Sequence, residues 1–342
     1  MPVPVSKLPF KCVLAPMVEQ CDLAFRMLVR DYYCDLCFTQ MFHSDLLSTR
    51  KGYFKDHFIT CSKDTPLVVQ LCGNNPENIV SAAKIVAPFC QNVDLNLGCP
   101  QGIARKGGYG AYLLPDFDRV RSIVHRLHSE KIPFSVKIRL LPSLQDTLRT
   151  CEMLQEEGAL FLTVHGRRKE QKRENCGNCD WDAIGAIRSH LSIPVIANGG
   201  VGDRAQARRC VAQTGVCGVM CGEALLENPA LFADGCDPAT GEAIGVDVVC
   251  NRYLDYEAAY PAQPKEVRKH LFKLLHRALQ VDTECRARLA VMGLSSSREK
   301  EEARAMVVHL REVMQARGDP WTLQGCTLLP SSWYNRHRCF DV

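Results

Sequence analysis

The chain has 342 residues, enough for one large domain and a smaller one, and its 46% hydrophobic and 23% charged residues are typical of soluble globular proteins. No apolar run reaches the roughly 18 residues of a membrane-spanning helix, so the sequence argues against a membrane protein. The first residues, MPVPVSKLPFKCVLAPM, lack the apolar centre of a secretory signal. We therefore expect a soluble intracellular protein in the cytoplasm, with the nucleus as a second compartment.

The 19 cysteines are an odd number and lack the dense, regular spacing of small secreted disulfide scaffolds. Two CxxC pairs occur. Cys34 and Cys37 lie in an apolar run and are predicted to be buried in a strand, because a free cysteine behaves as a small hydrophobic residue. Cys176 and Cys179 lie in a polar loop and offer two ligands, whereas a structural zinc ion needs four. We therefore expect no metal site.

Short apolar runs alternate with longer amphipathic segments between residues 11 and 233. The predicted strands are Cys12–Ala15, Leu36–Thr39, Leu67–Leu71, Val93–Leu97, Phe134–Ile138, Leu160–Val164, Pro194–Ala197 and Gly218–Cys221. The predicted helices between them are Pro76–Ala87, Phe117–Glu130, Gln145–Glu157, Trp181–His190, Arg204–Gln213 and Ala224–Phe232. This alternation predicts a parallel (β/α)8 TIM barrel, and a doubly wound sheet is the alternative.

Polar or glycine-containing segments follow one predicted strand after another, as they do in barrel enzymes, whose functional side chains come from many strand ends. These segments are Pro16-Met17, Gln70, 96–100, 137–139, 165–167, 198–200 and 222–223. A dinucleotide-binding sheet would instead carry GxGxxG after its first strand, and that motif is missing there. The pattern favours the barrel.

Beyond the predicted barrel, 1–235, the residues 236–250 are rich in Gly, Asp and Pro and are predicted to form a linker. Residues 251–321 are predicted to form a helical domain, with helices at Lys265–Leu279 and Glu299–Ala316. The final stretch, 322–342, carries no structural prediction. The first 250 residues hold 27 basic and 27 acidic side chains, and the remainder holds 15 and 11. The positive excess therefore lies in the C-terminal part, which hints at a polyanionic partner.

Cys99 lies between Gly98 and Pro100 directly after a predicted strand, in a rigid turn that would present its thiol at the barrel mouth. A buried structural cysteine is the alternative. The loop that follows, 105–110, contains Arg105, Lys106 and three glycines, which is typical of a mobile lid that meets an anionic substrate.

The segment 96–100, Asn-Leu-Gly-Cys-Pro, followed by Gly110-Ala111 and Leu113, resembles the signature of the tRNA-dihydrouridine synthases. Further agreements in type, order and spacing are Ala15-Pro16-Met17, Lys137-Ile138-Arg139, His165-Gly166-Arg167, Ile196-Ala197-Asn198-Gly199 and Asn228-Pro229. The similarity covers about residues 11–232 and is strongest to the eukaryotic subgroup that acts on D-loop uridines 16 and 17.

The resemblance implies a bound FMN. Its ring would lie against Pro16, Met17 and Val18, while Gln70 would bind the polar edge of the ring. Lys137 would place a positive charge near N1 and C2, and His165 would contact the flavin or its phosphate side. The phosphate would be held by Asn198, Gly199, Gly200, Gly222 and Glu223. Glu223 departs from many flavin barrels, which carry arginine there.

The resemblance also implies a reaction. NADPH would reduce FMN, the flavin would deliver hydride to C6 of a uridine, and Cys99 would donate a proton to C5. Asn96 and Arg139 would hydrogen-bond the uracil carbonyls. The tRNA would contact Arg105, Lys106, Lys265, Arg268, Lys269 and Arg277, although a solvated helix face is the alternative for the last four. Weaker candidates for this contact are Arg167–Lys169 and Arg336–Arg338.

Two other functions stay open at this point. A different FMN barrel, of the dihydroorotate or ene-reductase type, would share the phosphate turns but leave the basic helical region unexplained. A non-catalytic RNA-binding barrel would not need Cys99, Lys137 and His165 together. We expect a monomer that binds tRNA and has neither DNA nor a membrane as partner.

Overall fold

The structure is a computed structural model that describes residues 10–172 and 175–335. Eight parallel strands form a closed barrel in which each strand pairs with the next and β8 pairs with β1. Their bounds are β1 Lys11–Leu14, β2 Leu36–His43, β3 Leu67–Cys72, β4 Asn92–Leu97, β5 Phe134–Arg139, β6 Leu162–His165, β7 Val195–Asn198 and β8 Gly218–Cys221. The predicted (β/α)8 barrel is confirmed, and every predicted strand overlaps an observed one.

The strands are buried on both faces, as expected for a parallel sheet covered by helices, although alternate positions of β4, Asn92, Asp94 and Asn96, are polar. β3 and β4 are buried along their whole lengths. A small cluster fills the barrel interior and includes Val13, Phe38 and Met220. A larger cluster lies between the barrel and its outer helices.

Ten helices surround the strands in the described part of the barrel. They are α1 Leu23–Arg30, α2 Ser44–Thr49, α3 Tyr53–His57, α4 Pro76–Val86, α5 Gly102–Gly107, α6 Phe117–Ser129, α7 Leu144–Glu156, α8 Trp181–His190, α9 Arg204–Thr214 and α10 Glu223–Glu227. Local signals set several starts. The side chains of Asn75, Ser143 and Asp203 each accept a backbone N–H in the first turn of the helix that follows. The predicted helix Ala224–Phe232 is wrong in length, since Pro229 disfavours helical backbone at Asn228, where α10 ends.

Five helices follow the barrel within the described residues, namely α11 Val246–Ala259, α12 Pro264–Leu274, α13 His276–Val281, α14 Thr283–Val291 and α15 Ser297–Ala316. The predicted single helix Lys265–Leu279 is therefore wrong, because the backbone turns at Leu275. The last five residues of the predicted linker, 246–250, belong to α11. The start of α11 escaped prediction, although its buried residues Val246, Val249, Cys250, Tyr253 and Leu254 have helical spacing, because its three valines have low helix propensity. Among the described residues, no helix is both long and apolar enough to cross a membrane.

The helical region packs against the first barrel helix. The Tyr256 hydroxyl on α11 donates to the Asp31 carboxylate at 3.0 Å, and Arg252 donates to the Tyr32 hydroxyl at 3.1 Å. These contacts hold α11 at the C-terminal end of α1, and pairs from α12 to Glu19 and Asp22 hold the helical region beside the loop between β1 and α1. That loop lines the barrel mouth.

Candidate active site

A large cavity opens at the carboxyl ends of the barrel strands, where barrel enzymes place their functional groups. Its volume is about 940 Å³, at the upper end of the range for small-molecule and cofactor sites. Segments that follow five of the eight strands contribute to its wall, together with side chains from β2, β3 and β5. Predicted site residues on the wall are Pro16, Met17, Val18, Gln70, Asn96, Cys99, Lys137, Arg139, His165, Asn198, Gly199, Gly200, Gly222 and Glu223.

Cys99 is half-buried on this wall, and its backbone is held from two sides. The Asn96 side-chain oxygen accepts the backbone N–H of Gly98 at 3.1 Å and that of Cys99 at 2.9 Å. The Cys99 carbonyl accepts the N–H of Ala111 at 3.1 Å. Gly110 has φ of +64°, and a Cβ there would lie 2.8 Å from the Cys99 carbonyl oxygen, so only glycine fits. The turn therefore fixes the backbone from which the Cys99 thiol extends.

The Cys99 thiol stays protonated at neutral pH. Burial raises its pKa above the ordinary value, while the backbone of Gln101 and the nearby Arg139 act in the opposite direction. A protonated thiol is an acid, whereas a nucleophilic cysteine would need a lowered pKa. The site is therefore suited to proton donation by Cys99.

A buried chain of hydrogen bonds supports Asn96 from behind. The Asn96 amide donates to Gln70 Oε1 at 2.8 Å, and Gln70 Nε2 donates to Asp94 Oδ2 at 2.8 Å. The second oxygen of Asp94 accepts the Ser135 hydroxyl at 2.7 Å. Burial raises the pKa of Asp94 to about 6, although Gln70 and Ser135 lower it in part. The sequence resemblance assigns Gln70 to the FMN ring and Asn96 to a uracil carbonyl. Both side chains also help to hold the Cys99 turn.

Lys137 extends from β5 into the cavity and donates from Nζ to Asn198 Oδ1 at 2.8 Å. Asn198 in turn donates to the Met220 carbonyl at 2.8 Å, which fixes its orientation. Burial and, to a lesser extent, the nearby Arg139 charge lower the pKa of Lys137 to about 8. The ammonium group therefore remains positive at neutral pH, but it gives up its proton more readily than a surface lysine.

Arg139 lies two residues further along β5 and binds backbone oxygens. Its Nε donates to the Gly98 carbonyl at 2.9 Å, and its Nη1 donates to the Arg168 carbonyl at 2.9 Å. Burial, with the Arg167 charge beside it, lowers the pKa of Arg139 to about 10. Arg139 thus ties the Cys99 turn to the loop after β6.

A glycine turn follows β7 and brings backbone close to other site residues. Gly199 and Gly200 have φ of +98° and +76°, which favour glycine. A Cβ at Gly199 would lie 2.6 Å from the His165 ring, and one at Gly200 would lie 2.8 Å from Cys179 Cβ. Bare backbone therefore lines the cavity here, beside His165 and Lys137. An anionic, planar cofactor fits this wall, because the amide backbone can approach a phosphate and Lys137 can face a negative ring edge.

The model of the family described as dihydrouridine synthase (Dus) matches residues 13–313. The chain belongs to the dihydrouridine synthase family. It is 42% identical over 281 residues to a rat (Rattus norvegicus) protein named tRNA-dihydrouridine(16/17) synthase [NAD(P)(+)]-like, covering 81% of this chain and 63% of that protein. It is 39% identical over 290 residues to the tRNA-dihydrouridine(16/17) synthase [NAD(P)(+)] of Schizosaccharomyces pombe, covering 82% and 73% of the two chains. The chain thus spans less than two thirds of its rat relative.

A solved structure of histamine dehydrogenase from Rhizobium sp. 4-9 aligns with 75% of this chain and 50% of that chain, with a TM-score of 0.50 and 12% identity. At this identity the similarity concerns the fold alone. It agrees with the barrel of the dihydrouridine synthase family described above.

Six predicted substrate-binding residues lie away from the cavity wall: Arg105, Lys106, Lys265, Arg268, Lys269 and Arg277. Arg105 and Lys106 are exposed on α5, close to the cavity rim at Gly102 and Ile103. Arg268 and Arg277 donate to the backbone carbonyls of Met292 and Pro320 at 2.7 and 3.2 Å. These two guanidinium groups therefore stabilise the helical region itself.

Lys265 and Lys269 reach from α12 to Glu19, in the loop after β1. Lys265 Nζ lies 2.6 Å from one carboxylate oxygen of Glu19, and Lys269 binds the other oxygen. Hydrogen bonds from both lysines lower the pKa of Glu19. Both lysine side chains stay substantially exposed, so they can meet a polyanion near the cavity, although a carboxylate already neutralises part of their charge.

Three side chains that contribute to the site were ranked low or overlooked in the sequence. Arg167 is buried beside His165, with its Nη1 3.3 Å from His165 Nε2, and Lys172 donates to the Pro100 carbonyl at 2.8 Å. Tyr334 lines the cavity from a segment that carried no structural prediction. Arg167 and Lys172 are basic residues of the loop that follows β6. This position at a strand end could have identified them as site residues. Arg336–Arg338 lie outside the described residues.

Asp282, Cys285 and His309 are the metal-compatible group among residues 10–172 and 175–335, with ligand atoms within 4.8 Å of one another. Ordinary structural contacts account for their proximity. Asp282 accepts the Cys285 backbone N–H at 2.8 Å as the N-cap of α14, and it pairs with His309 at 2.9 Å. The expected absence of a metal stays a prediction.

Proposed function

We propose that this chain is a flavin-dependent tRNA-dihydrouridine synthase that reduces the C5–C6 double bond of D-loop uridines 16 and 17, with NADPH as the reductant. Family membership and the names of the relatives support the reaction class. The observation that carries the proposal is the meeting of Cys99, Lys137, His165 and the Asn198–Gly200 turn on one cavity wall. A protonated thiol and a cofactor-sized, partly cationic recess are the two requirements of this reaction.

The chain's own residues would hold FMN in this cavity. Pro16, Met17 and Val18 would lie against its ring, and Lys137 would face the ring edge that gains negative charge on reduction. The backbone after β7 and β8, at 198–200 and 222–223, would hold the phosphate. Bound FMN supplies hydride to C6 of the uracil. The Glu223 side chain would point away from the phosphate, with its backbone making the contact.

Cys99 would deliver the proton to C5 of the uracil. The Asn96 and Ala111 contacts fix the thiol, and its raised pKa keeps the proton available at neutral pH. Arg139 and Asn96 hold the turn from beneath, and either could also contact a uracil carbonyl. General acid catalysis of this kind contributes about 10²- to 10⁴-fold to a rate.

The uridine must leave the folded tRNA to reach the cavity, which requires unstacking and extrusion. Phosphate contacts would then supply most of the affinity. Lys265 and Lys269 lie beside the loop that carries Met17 and Val18, and Arg105 and Lys106 lie near the rim on α5. We propose these four side chains as the tRNA contacts, in a monomeric protein of the cytoplasm or nucleus that binds neither DNA nor membranes.

Two measurements test the proposal in order. The purified protein should take up FMN and show flavin absorbance, and it should then form dihydrouridine in tRNA prepared from cells that lack the modification. Mapping should place the product at positions 16 and 17. A protein that stays colourless with excess FMN would refute the proposal, and a flavoprotein that leaves tRNA unchanged would point to another FMN barrel oxidoreductase.

A further inference from the structure

The segment after α15 folds back onto the barrel mouth. Thr327 donates from its hydroxyl to the Gly202 carbonyl at 2.6 Å. The Glu227 carboxylate, 3% exposed, accepts the backbone N–H groups of Trp333 at 3.0 Å and Tyr334 at 2.9 Å. A buried carboxylate that accepts two backbone donors holds a segment firmly, because detaching the segment would leave the buried carboxylate without these donors.

Tyr334 is the residue that this segment brings to the cavity. It lines the cavity wall together with Val201, Gly222 and Glu223, and only 6% of its surface is exposed. Its ring packs on Gly202, where an added Cβ would lie 2.6 Å from the ring carbon Cε1. Any larger residue at position 202 would therefore clash with the Tyr334 ring.

We propose that Tyr334 is a cofactor-binding residue, which makes the C-terminal segment 321–335 part of the cofactor site. This inference rests on the proposed function, because it concerns the end of the cavity where the turns after β7 and β8 would hold the flavin phosphate. The Tyr334 ring adds an aromatic wall there. This wall favours a bound anion, since shielding from water strengthens the anion's hydrogen bonds to the protein.

Coupling between the cofactor and this segment follows from the geometry. A ligand that binds the docked form of the segment more tightly than the detached form must stabilise docking by the same free energy. FMN should therefore slow amide exchange at Trp333 and Tyr334, whose N–H groups bind Glu227. The segment would in turn tighten FMN binding.

The variants Tyr334→Ala and Asn335→Ala test the assignment. Asn335 is the matched control: its amide donates to the Thr327 and Leu329 carbonyls within the same segment, but it does not line the cavity. FMN dissociation constants are measured by flavin fluorescence on protein freed of cofactor. We expect Tyr334→Ala to weaken FMN binding about tenfold or more and Asn335→Ala to change it less than threefold.

Equal FMN affinity in wild type and Tyr334→Ala would overturn the assignment, as would equal weakening by Asn335→Ala. If Tyr334→Ala is too unstable to study, hydrogen exchange on wild-type protein decides the matter. Saturating FMN should slow exchange at Trp333 and Tyr334, and unchanged rates would overturn the inference. Wild-type protein that takes up no FMN would refute the proposed function itself, whereas the other negative outcomes refute the role of Tyr334 alone.

Discussion

His270 Nε2 lies 2.7 Å from Asp22 Oδ2, and both side chains are buried where α12 meets the start of α1. The other Asp22 oxygen accepts the Phe25 N–H as the N-cap of α1, and the Phe25 ring stacks on His270 at 4.3 Å. Burial opposes ionisation of Asp22, but His270 and the Phe25 N–H outweigh it and lower the carboxyl pKa. This contact ties the helical region to the loop that lines the cavity.

Removing His270 should destabilise the protein. We expect His270→Ala to lower the free energy of unfolding by about 3–5 kcal/mol, because it leaves the Asp22 carboxylate buried without its partner. Denaturant unfolding measures the change. Since the pKa of Asp22 is lowered in the folded state, its contribution should be present above the ordinary value near 3.9 and disappear as the pH falls below it. The double variant with Asp22→Asn should lose much less than the sum of the two single losses.

Cys99→Ala should separate cofactor binding from catalysis. We expect FMN uptake and reduction of the flavin by NADPH to stay within twofold of wild type, while dihydrouridine formation falls at least about 10²-fold, because the proton donor is gone. Cys217→Ala is the matched control, since Cys217 is an exposed cysteine outside the cavity wall. Loss of flavin in Cys99→Ala would assign a structural role to this residue.

Asn96→Ala should disturb the Cys99 turn without emptying the cavity. Two backbone N–H groups, of Gly98 and Cys99, would lose their acceptor at a cost of about 1–3 kcal/mol each. We expect dihydrouridine formation to fall about tenfold or more while FMN absorbance persists. Asn92→Ala is the control, because Asn92 lies on the same strand at the opposite end of the barrel. Full activity in Asn96→Ala would show that the Cys99 turn keeps its conformation without the Asn96 side chain.

Lys137 should make the free energy of unfolding depend on pH in the alkaline range. Its pKa is about 8 in the folded protein and near 10.5 ordinarily, so the unfolded chain binds the proton more tightly. Wild-type stability should therefore rise as the pH increases from 8 to 10.5. The rise would be less than about 3 kcal/mol, because the side chain lines an open cavity and solvent screens it. Lys137→Met should lack this rise in a series of thermal melts, and identical profiles for the two proteins would contradict the burial of this charge.

Variants of Glu19 and of its partners Lys265 and Lys269 test the tRNA contact, because they should change the affinity for tRNA in opposite directions. We expect Lys265→Ala/Lys269→Ala to weaken tRNA binding and to reduce the salt dependence, d log K/d log [salt], by about 1–2, because two phosphate contacts are lost. Glu19→Gln should strengthen binding, since both ammonium groups are released from their carboxylate. Lys84→Ala is the control, as Lys84 forms a similar surface pair with Glu130. Unchanged binding in the double variant would exclude α12 from the tRNA contact.

The sequence alone determined the barrel and most of its cavity wall. Parallel strands buried on both faces read as apolar runs, and in a barrel the residue after each strand must face the same opening. Gly98-Cys99-Pro100 after β4 and Asn198-Gly199-Gly200 after β7 were therefore placed correctly from local pattern. The predicted helices Pro76–Ala87 and Arg204–Gln213 begin where the structure shows Asn75 and Asp203 as their capping residues.

Only the tertiary structure decided how the C-terminal part meets the barrel. The partners Asp22 and His270 are 248 residues apart, and Glu227 and Tyr334 are 107 apart, so no local pattern could pair them. The same is true of Glu19, which accepts two lysines that looked like a free basic face. The spacing of apolar residues along the chain predicts which face of each segment is buried. The partner against which that face packs depends on the packing of the whole molecule.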